Sequence, residues 1–130
     1  MIGSKWGKVV GPLDMTGHHI ILVAAPDAGF RHSIEFALAS GRFEVDAHRY
    51  ASDAFASARA RQAACAVLDD EAVQDWKEAP QQFERFARPV ILLVSLFRTA
   101  PSFPMLKPLA KPFLGEPLIE AVRNAIAGLL

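Results

Sequence analysis

Three short runs of apolar residues do most to limit the folds that this chain can adopt. They are HIILVAA at His19–Ala25, ACAVL at Ala64–Leu68 and PVILLV at Pro89–Val94. Each run is apolar on both faces, as a central strand is when helices cover it on either side. Apolar residues at the spacing of an amphipathic helix follow the first two runs. Strands that alternate with helices favour a parallel sheet with right-handed crossovers.

The remaining elements are weaker but fit the same alternation. Phe43–Tyr50 alternates apolar and polar residues like an edge strand, and Met105–Ala110 is predicted to be a fifth strand. Asp27 can cap the first helix, and Pro80 interrupts a third helical segment, which is therefore predicted to be short or kinked. A last helix opens at Glu116 with one apolar stripe, formed by Leu118, Val122, Ile126 and Leu129.

Composition and charge exclude several functional classes. The 14 basic and 14 acidic side chains cancel, so no net charge draws the chain to nucleic acid or to anionic lipid. No apolar run reaches the roughly 18 residues of a membrane span. Residues 1–18 lack a signal-peptide core and are predicted to be a flexible leader before a domain over 19–130, with a cytoplasmic location. Cys65 is expected to be a small core residue.

The strand at Ala64–Leu68 runs directly into Asp69, Asp70 and Glu71. Open parallel sheets build their polar sites at the carboxyl ends of their strands, so the sequence predicts a site at this edge. A nucleotide-binding domain is one reading of such an edge. Against it, no glycine-rich phosphate loop follows the first strand, where Ala-Pro-Asp stands instead.

Four motifs in sequence resemble the receiver domain of two-component response regulators. They are ILVAAPD, AVLDD, PVILLVS and LAKPFLGEPLIEAV, and they stand in the family's order across residues 19–130. The resemblance implies a flavodoxin-like (βα)5 doubly wound parallel sheet with strand order 2-1-3-4-5. It also implies a signalling module that is not an enzyme. Its partner would be a signalling protein such as a histidine kinase, or a second copy in a homodimer.

One departure from the family concerns topology. Between Ser95 and Pro104 only about ten residues join the fourth strand to the fifth, against the dozen or more that a helical crossover takes. The fourth helix of the family is therefore predicted to be missing or much shortened. The apolar residues of this connector are predicted either to fold over the gap or to form an exposed partner surface. They are Leu96, Phe97, Phe103 and Met105.

Other departures concern the family's site. The resemblance implies that Asp69 is at the phosphoacceptor position and that Lys111 pairs with the phosphoryl oxygens. The family's two Mg²⁺-binding acids correspond to Ala25 and Pro26, and neither side chain can coordinate a metal. Asp27 and Asp70 are the other acids expected at this edge. Two switch positions are also lost, because the family's Thr or Ser is Val94 and its aromatic residue is Pro108.

These departures predict a degenerate receiver that works as a protein-interaction or regulatory module, without a cofactor and without normal Mg²⁺-dependent phosphorylation. The alternative is a single-domain response regulator that is phosphorylated on Asp69 and uses an unusual Mg²⁺ site around Asp27. Histidine offers no metal site in either reading, since His18 and His19 point to opposite faces of a strand.

Overall fold

The computed structural model describes residues 18–95, 103–111 and 115–128. Five strands within these ranges form one parallel sheet in the order β2-β1-β3-β4-β5. The predicted fold class and strand order are confirmed. The strands are β1 Ile20–Ala24, β2 Glu44–His48, β3 Ala63–Asp69, β4 Val90–Val94 and β5 Leu106–Ala110.

Helices cover both faces of the sheet. The described helices are α1 Ala28–Ser40, α2 Ala51–Phe55, α3 Ala79–Phe86 and α4 Glu116–Ile126, with 3₁₀ turns at Ala60–Gln62 and Asp70–Ala72. The helices α1 and α4 pack on one face, and α2 and α3 pack on the other. None of the helices in the described ranges is long and apolar enough to cross a membrane.

Strand residues divide between the two cores by alternation. Ile21 and Val23 of β1 face α1 and α4, whereas Leu22 and Ala24 face α2 and α3. Successive side chains on a strand point to opposite faces, so a strand covered on both faces must be apolar throughout. Cys65 is fully buried in the first of these cores, and burial raises the pKa of its thiol to about 12.

The third helix is short, as predicted, but Pro80 has a different place in it from the one expected. Pro80 does not interrupt it but lies in its first turn, and the helix begins at Ala79. Proline is tolerated there because first-turn N–H groups have no partner within the helix. Residues 70–72 instead form a 3₁₀ turn directly after β3. That turn holds Asp70 against the end of the sheet, where it is 1% exposed.

The connector between β4 and β5 is described only from Phe103 onward. The helix that was predicted to be missing or shortened falls largely on residues 96–102, which include Leu96 and Phe97 and lie outside the described residues. Positions 1–17 of the predicted leader also lie outside them. Phe103 packs edge-on against Phe83 of α3, with ring centroids 5.3 Å apart. Met105 is 47% exposed. The two described apolar residues therefore differ, one folding inward and the other facing solvent.

Candidate functional site

Two strand ends bring Asp69 and Lys111 to the same edge of the sheet. Asp69 is the last residue of β3 and pairs in register with Leu93 of β4. Lys111 directly follows β5, and its backbone N–H donates to the carbonyl oxygen of Val94 at 2.8 Å. Because the carboxyl ends of parallel strands meet at one edge, these side chains converge, as the sequence predicted.

The Lys111 side chain forms ion pairs with two carboxylates. Its Nζ lies 2.5 Å from Oδ1 of Asp69 and 2.9 Å from Oδ1 of Asp70. The side chains of Asp69 and Asp70 are 5% and 1% exposed, and that of Lys111 is 21% exposed. A single cation therefore balances two buried anions. Asp70 was expected at this edge, but its place as an equal partner of the lysine was not predicted.

Further contacts fix this triad of Asp69, Asp70 and Lys111. The Asp69 carboxylate accepts the backbone N–H of Glu71 at 3.3 Å, which caps the 3₁₀ turn. The Phe30 ring lies with its centroid 5.6 Å from the Lys111 Nζ, within range of a cation–π contact. The position of Phe30 in the first turn of α1, next to the end of β1, is the sequence signal for this contact.

The triad shifts the pKa of each of its members. Burial raises the pKa of Asp69 above its usual range and outweighs the hydrogen bond from Lys111. Burial acts in the same direction on Asp70, but hydrogen bonds from Lys111, Asp69 and the Ser95 backbone outweigh it and lower the Asp70 pKa. Burial would lower the pKa of Lys111, yet its bonds to the two carboxylates raise it. Asp69 is thus the carboxyl group that protonates first.

The residues beside the triad do not fit the Mg²⁺ site that the family implies. Ala25 is fully buried, and Pro26 likewise offers no side-chain oxygen. Asp27 accepts the Phe30 N–H at 2.8 Å and caps α1, the role that the sequence favoured. The Arg31 guanidinium donates to the carbonyl oxygen of Ala25 at 2.8 Å. Within the described ranges, no three His, Cys, Asp or Glu side chains are grouped to hold a metal ion.

The two predicted switch positions lie in the strands next to the triad. Val94 is the last residue of β4 and is 8% exposed. Pro108 is the middle residue of β5, opposite Leu92 of β4. A proline is tolerated there because β5 is the edge strand of the sheet. Neither side chain has a polar group that could bond to an anion at the triad.

No family model matches the chain. Its fold does match that of solved receiver structures from several bacteria. A receiver domain from Clostridium thermocellum superimposes with a TM-score of 0.71 at 17% identity, covering 85% of this chain and 95% of that one. A receiver protein from Sinorhizobium medicae WSM419 gives a TM-score of 0.68 at 22% identity, covering 87% and 98%.

A curated relative decides the family. The transcriptional regulator protein FixT of Rhizobium meliloti (strain 1021) is 32% identical over 114 residues, which are 86% of this chain and 96% of FixT. The chain belongs to the response regulator receiver family. It shares this family with the transcriptional regulator FixT and its fold with the solved receiver domains, as the four motifs predicted. Its Asp69 and Lys111 stand where the receiver resemblance placed them, at the ends of β3 and β5.

Proposed function

We propose that this protein is a degenerate receiver that regulates through protein contacts, without normal Mg²⁺-dependent phosphorylation. The observation that carries the proposal is the loss of side-chain oxygens at two positions beside the triad. The positions of the family's metal-binding acids hold Ala25 and Pro26. The edge therefore has a nucleophile and a cation but lacks two of the carboxylates with which the family binds Mg²⁺.

Charge balance explains why this matters for phosphoryl transfer. Protein catalysis of that reaction consists mainly of positioning the reactants and neutralising their charge, and the metal ion supplies much of the neutralisation. A phosphoryl donor that approaches Asp69 meets two carboxylates and the single cation of Lys111. The approach is electrostatically unfavourable without a second cation. The same triad is a stable arrangement when no donor is present.

The proposed partner is a signalling protein such as a histidine kinase, in the cytoplasm. The kinship with a transcriptional regulator, FixT, supports a regulatory role of this kind. Met105 offers an exposed apolar side chain beside β5 and is the described exposed residue of the proposed partner surface. Leu96 and Phe97, which the sequence assigns to that surface, lie outside the described residues. Phe103 anchors this part of the connector to α3, because its ring packs against the ring of Phe83. A homodimer through this surface is the other form that the contact can take.

The second candidate is a phosphoacceptor response regulator, and the 2.5 Å contact between Asp69 and Lys111 favours it. It requires Mg²⁺ to bind near Asp27 and Asp69, so a metal titration separates the two functions. With ¹⁵N-labelled protein, we expect no Mg²⁺-specific shift of the amide resonances of Asp27, Asp69 and Asp70. Millimolar Mg²⁺ should have the same effect on them as KCl at equal ionic strength. A saturable shift of these resonances with Mg²⁺ alone would favour the phosphoacceptor and contradict the degenerate receiver.

A further inference from the structure

A polar cavity lies at the amino-terminal ends of the strands, opposite the edge that holds the triad. Its volume is about 340 Å³, and it is formed by α2, the 3₁₀ turn at Ala60–Gln62, α3 and the residues before β4. Arg88 marks its position, because its guanidinium donates to the carbonyl oxygens of Ala63 at 2.7 Å and Ala60 at 3.2 Å. Ala63 is the first residue of β3, whereas Asp69 of the triad is the last.

The polar lining of this cavity is cationic. Arg61, Arg85 and Arg88 line it together with the neutral Ser52 and Gln82, and no acidic residue takes part. Arg88 is held by backbone carbonyls. Among the described residues, no carboxylate lies within ion-pair distance of Arg61 or Arg85, although nearby Arg59 pairs with a glutamate at 2.6 Å. Arginine stays charged in proteins, so three positive charges line one cavity that opens to the surface, where Arg61 and Arg85 are exposed.

The apolar lining of the cavity is aromatic. Phe55 of α2 and Phe86 of α3 contribute two rings whose centroids are 5.2 Å apart. The guanidinium carbon of Arg88 lies 5.9 Å from the centroid of the Phe86 ring. Phenylalanine rings and guanidinium planes both stack against flat aromatic groups. The cavity thus places stacking surfaces next to three cations.

We propose that this cavity binds a small anion that carries a flat aromatic ring, and specifically a nucleoside monophosphate. The phosphate would be held by Arg61 and Arg85, since guanidinium groups bind phosphate oxygens with paired, charge-assisted hydrogen bonds. The base would lie against Phe55 and Phe86. Ligand cavities in proteins begin at about 300 Å³, so a volume of about 340 Å³ suits one nucleotide rather than a dinucleotide. This site is independent of the triad and of the proposed function.

Isothermal titration calorimetry of the full chain at low salt tests this proposal with AMP, adenosine and inorganic phosphate. We expect AMP to bind about tenfold more tightly than either fragment and to weaken as salt is added. Arg61→Gln and Arg85→Gln should each weaken AMP binding by about fivefold to tenfold. Arg123→Gln is the matched control, because it removes the same charge from the exposed face of α4, away from the cavity.

Circular dichroism melting confirms that each variant is folded before its titration is interpreted. Absence of AMP binding to the unmodified protein would overturn the proposal. Phosphate that binds as tightly as AMP would overturn it too, because the aromatic walls would then contribute nothing. Equal weakening by Arg123→Gln and Arg85→Gln would overturn it by showing attraction to overall charge rather than to a site.

Discussion

Replacing Lys111 with methionine is expected to lower the free energy of unfolding by about 3–5 kcal/mol at neutral pH, because it leaves two buried carboxylates without their cation. The side chains of Asp69 and Asp70 are 5% and 1% exposed, so little water reaches the two carboxylates. Urea unfolding measures the change. Lys107→Met is the matched control, since Lys107 is an exposed residue of β5 and its replacement should cost less than about 0.5 kcal/mol.

The effect of Lys111→Met should depend on pH in a defined direction. The folded-state pKa of Lys111 is raised above 10.5, so its stabilisation is complete below that value and is lost as the pH rises through the folded pKa. Asp70 has a lowered folded pKa, so it stabilises the fold above pH 3.8 and ceases to do so as the pH falls through that lower folded value. Asp69 has a raised folded pKa, so its contribution has the opposite pH dependence. It stabilises the fold as the pH falls toward 3.8 and ceases to do so as the pH rises through the folded pKa.

Without the lysine, both carboxyl groups should protonate more readily in the folded state. The stability deficit of Lys111→Met should therefore shrink as the pH falls from about 7 to about 4. Adding Asp69→Asn to the variant should recover part of the deficit at neutral pH, since it removes one of the two uncompensated charges. A deficit as small as that of Lys107→Met, or one that does not change with pH, would contradict the shared-cation triad.

The second large effect is expected at the aromatic cluster between α3 and the connector. Phe83→Ala should cost about 3–5 kcal/mol of unfolding free energy, because it removes a buried ring and leaves a cavity. Phe83 is 7% exposed and makes edge contacts with Phe55 at 6.0 Å and Phe103 at 5.3 Å. The same variant removes the inner support of Phe103.

Phe36→Ala is the control for this variant. Phe36 lies on α1 and is 78% exposed, so the same chemical change should alter stability by less than about 0.5 kcal/mol. Chemical unfolding of both variants under one set of conditions makes the comparison. Similar losses at the two positions would show that Phe83 and Phe103 do not form the packed cluster described above, and that Phe103 is available to the partner surface.

The fold was predictable where strands are covered on both faces. The runs at His19–Ala25 and Pro89–Val94 each contain a strand, and a strand buried on two sides needs apolar residues at every position. Asp27 was identified as a cap because a single local hydrogen bond defines that role. The start of α3 was not predicted, since a proline is compatible both with a break in a helix and with its first turn.

The site was predictable only in part, and the presence or absence of a family motif explains the division. Asp69 and Lys111 were found because each lies in a motif that resembles a family. The bond from Lys111 to Asp70 joins residues 41 positions apart, and no local pattern signals it. The arginine cavity was not found for the same reason: Arg88 reaches carbonyl oxygens 25 and 28 positions away. Contacts of this kind depend on how the elements pack, and the spacing of residues along the chain does not predict them.

Phosphorylation by a small-molecule donor tests the degenerate receiver most directly. The full chain is incubated with acetyl phosphate, with and without Mg²⁺, and its intact mass is measured beside that of a receiver with a complete set of metal-binding acids. We predict that the complete receiver acquires an Mg²⁺-dependent phosphoryl adduct and that this protein does not. An Mg²⁺-dependent adduct on this protein that disappears in Asp69→Asn would contradict the proposal.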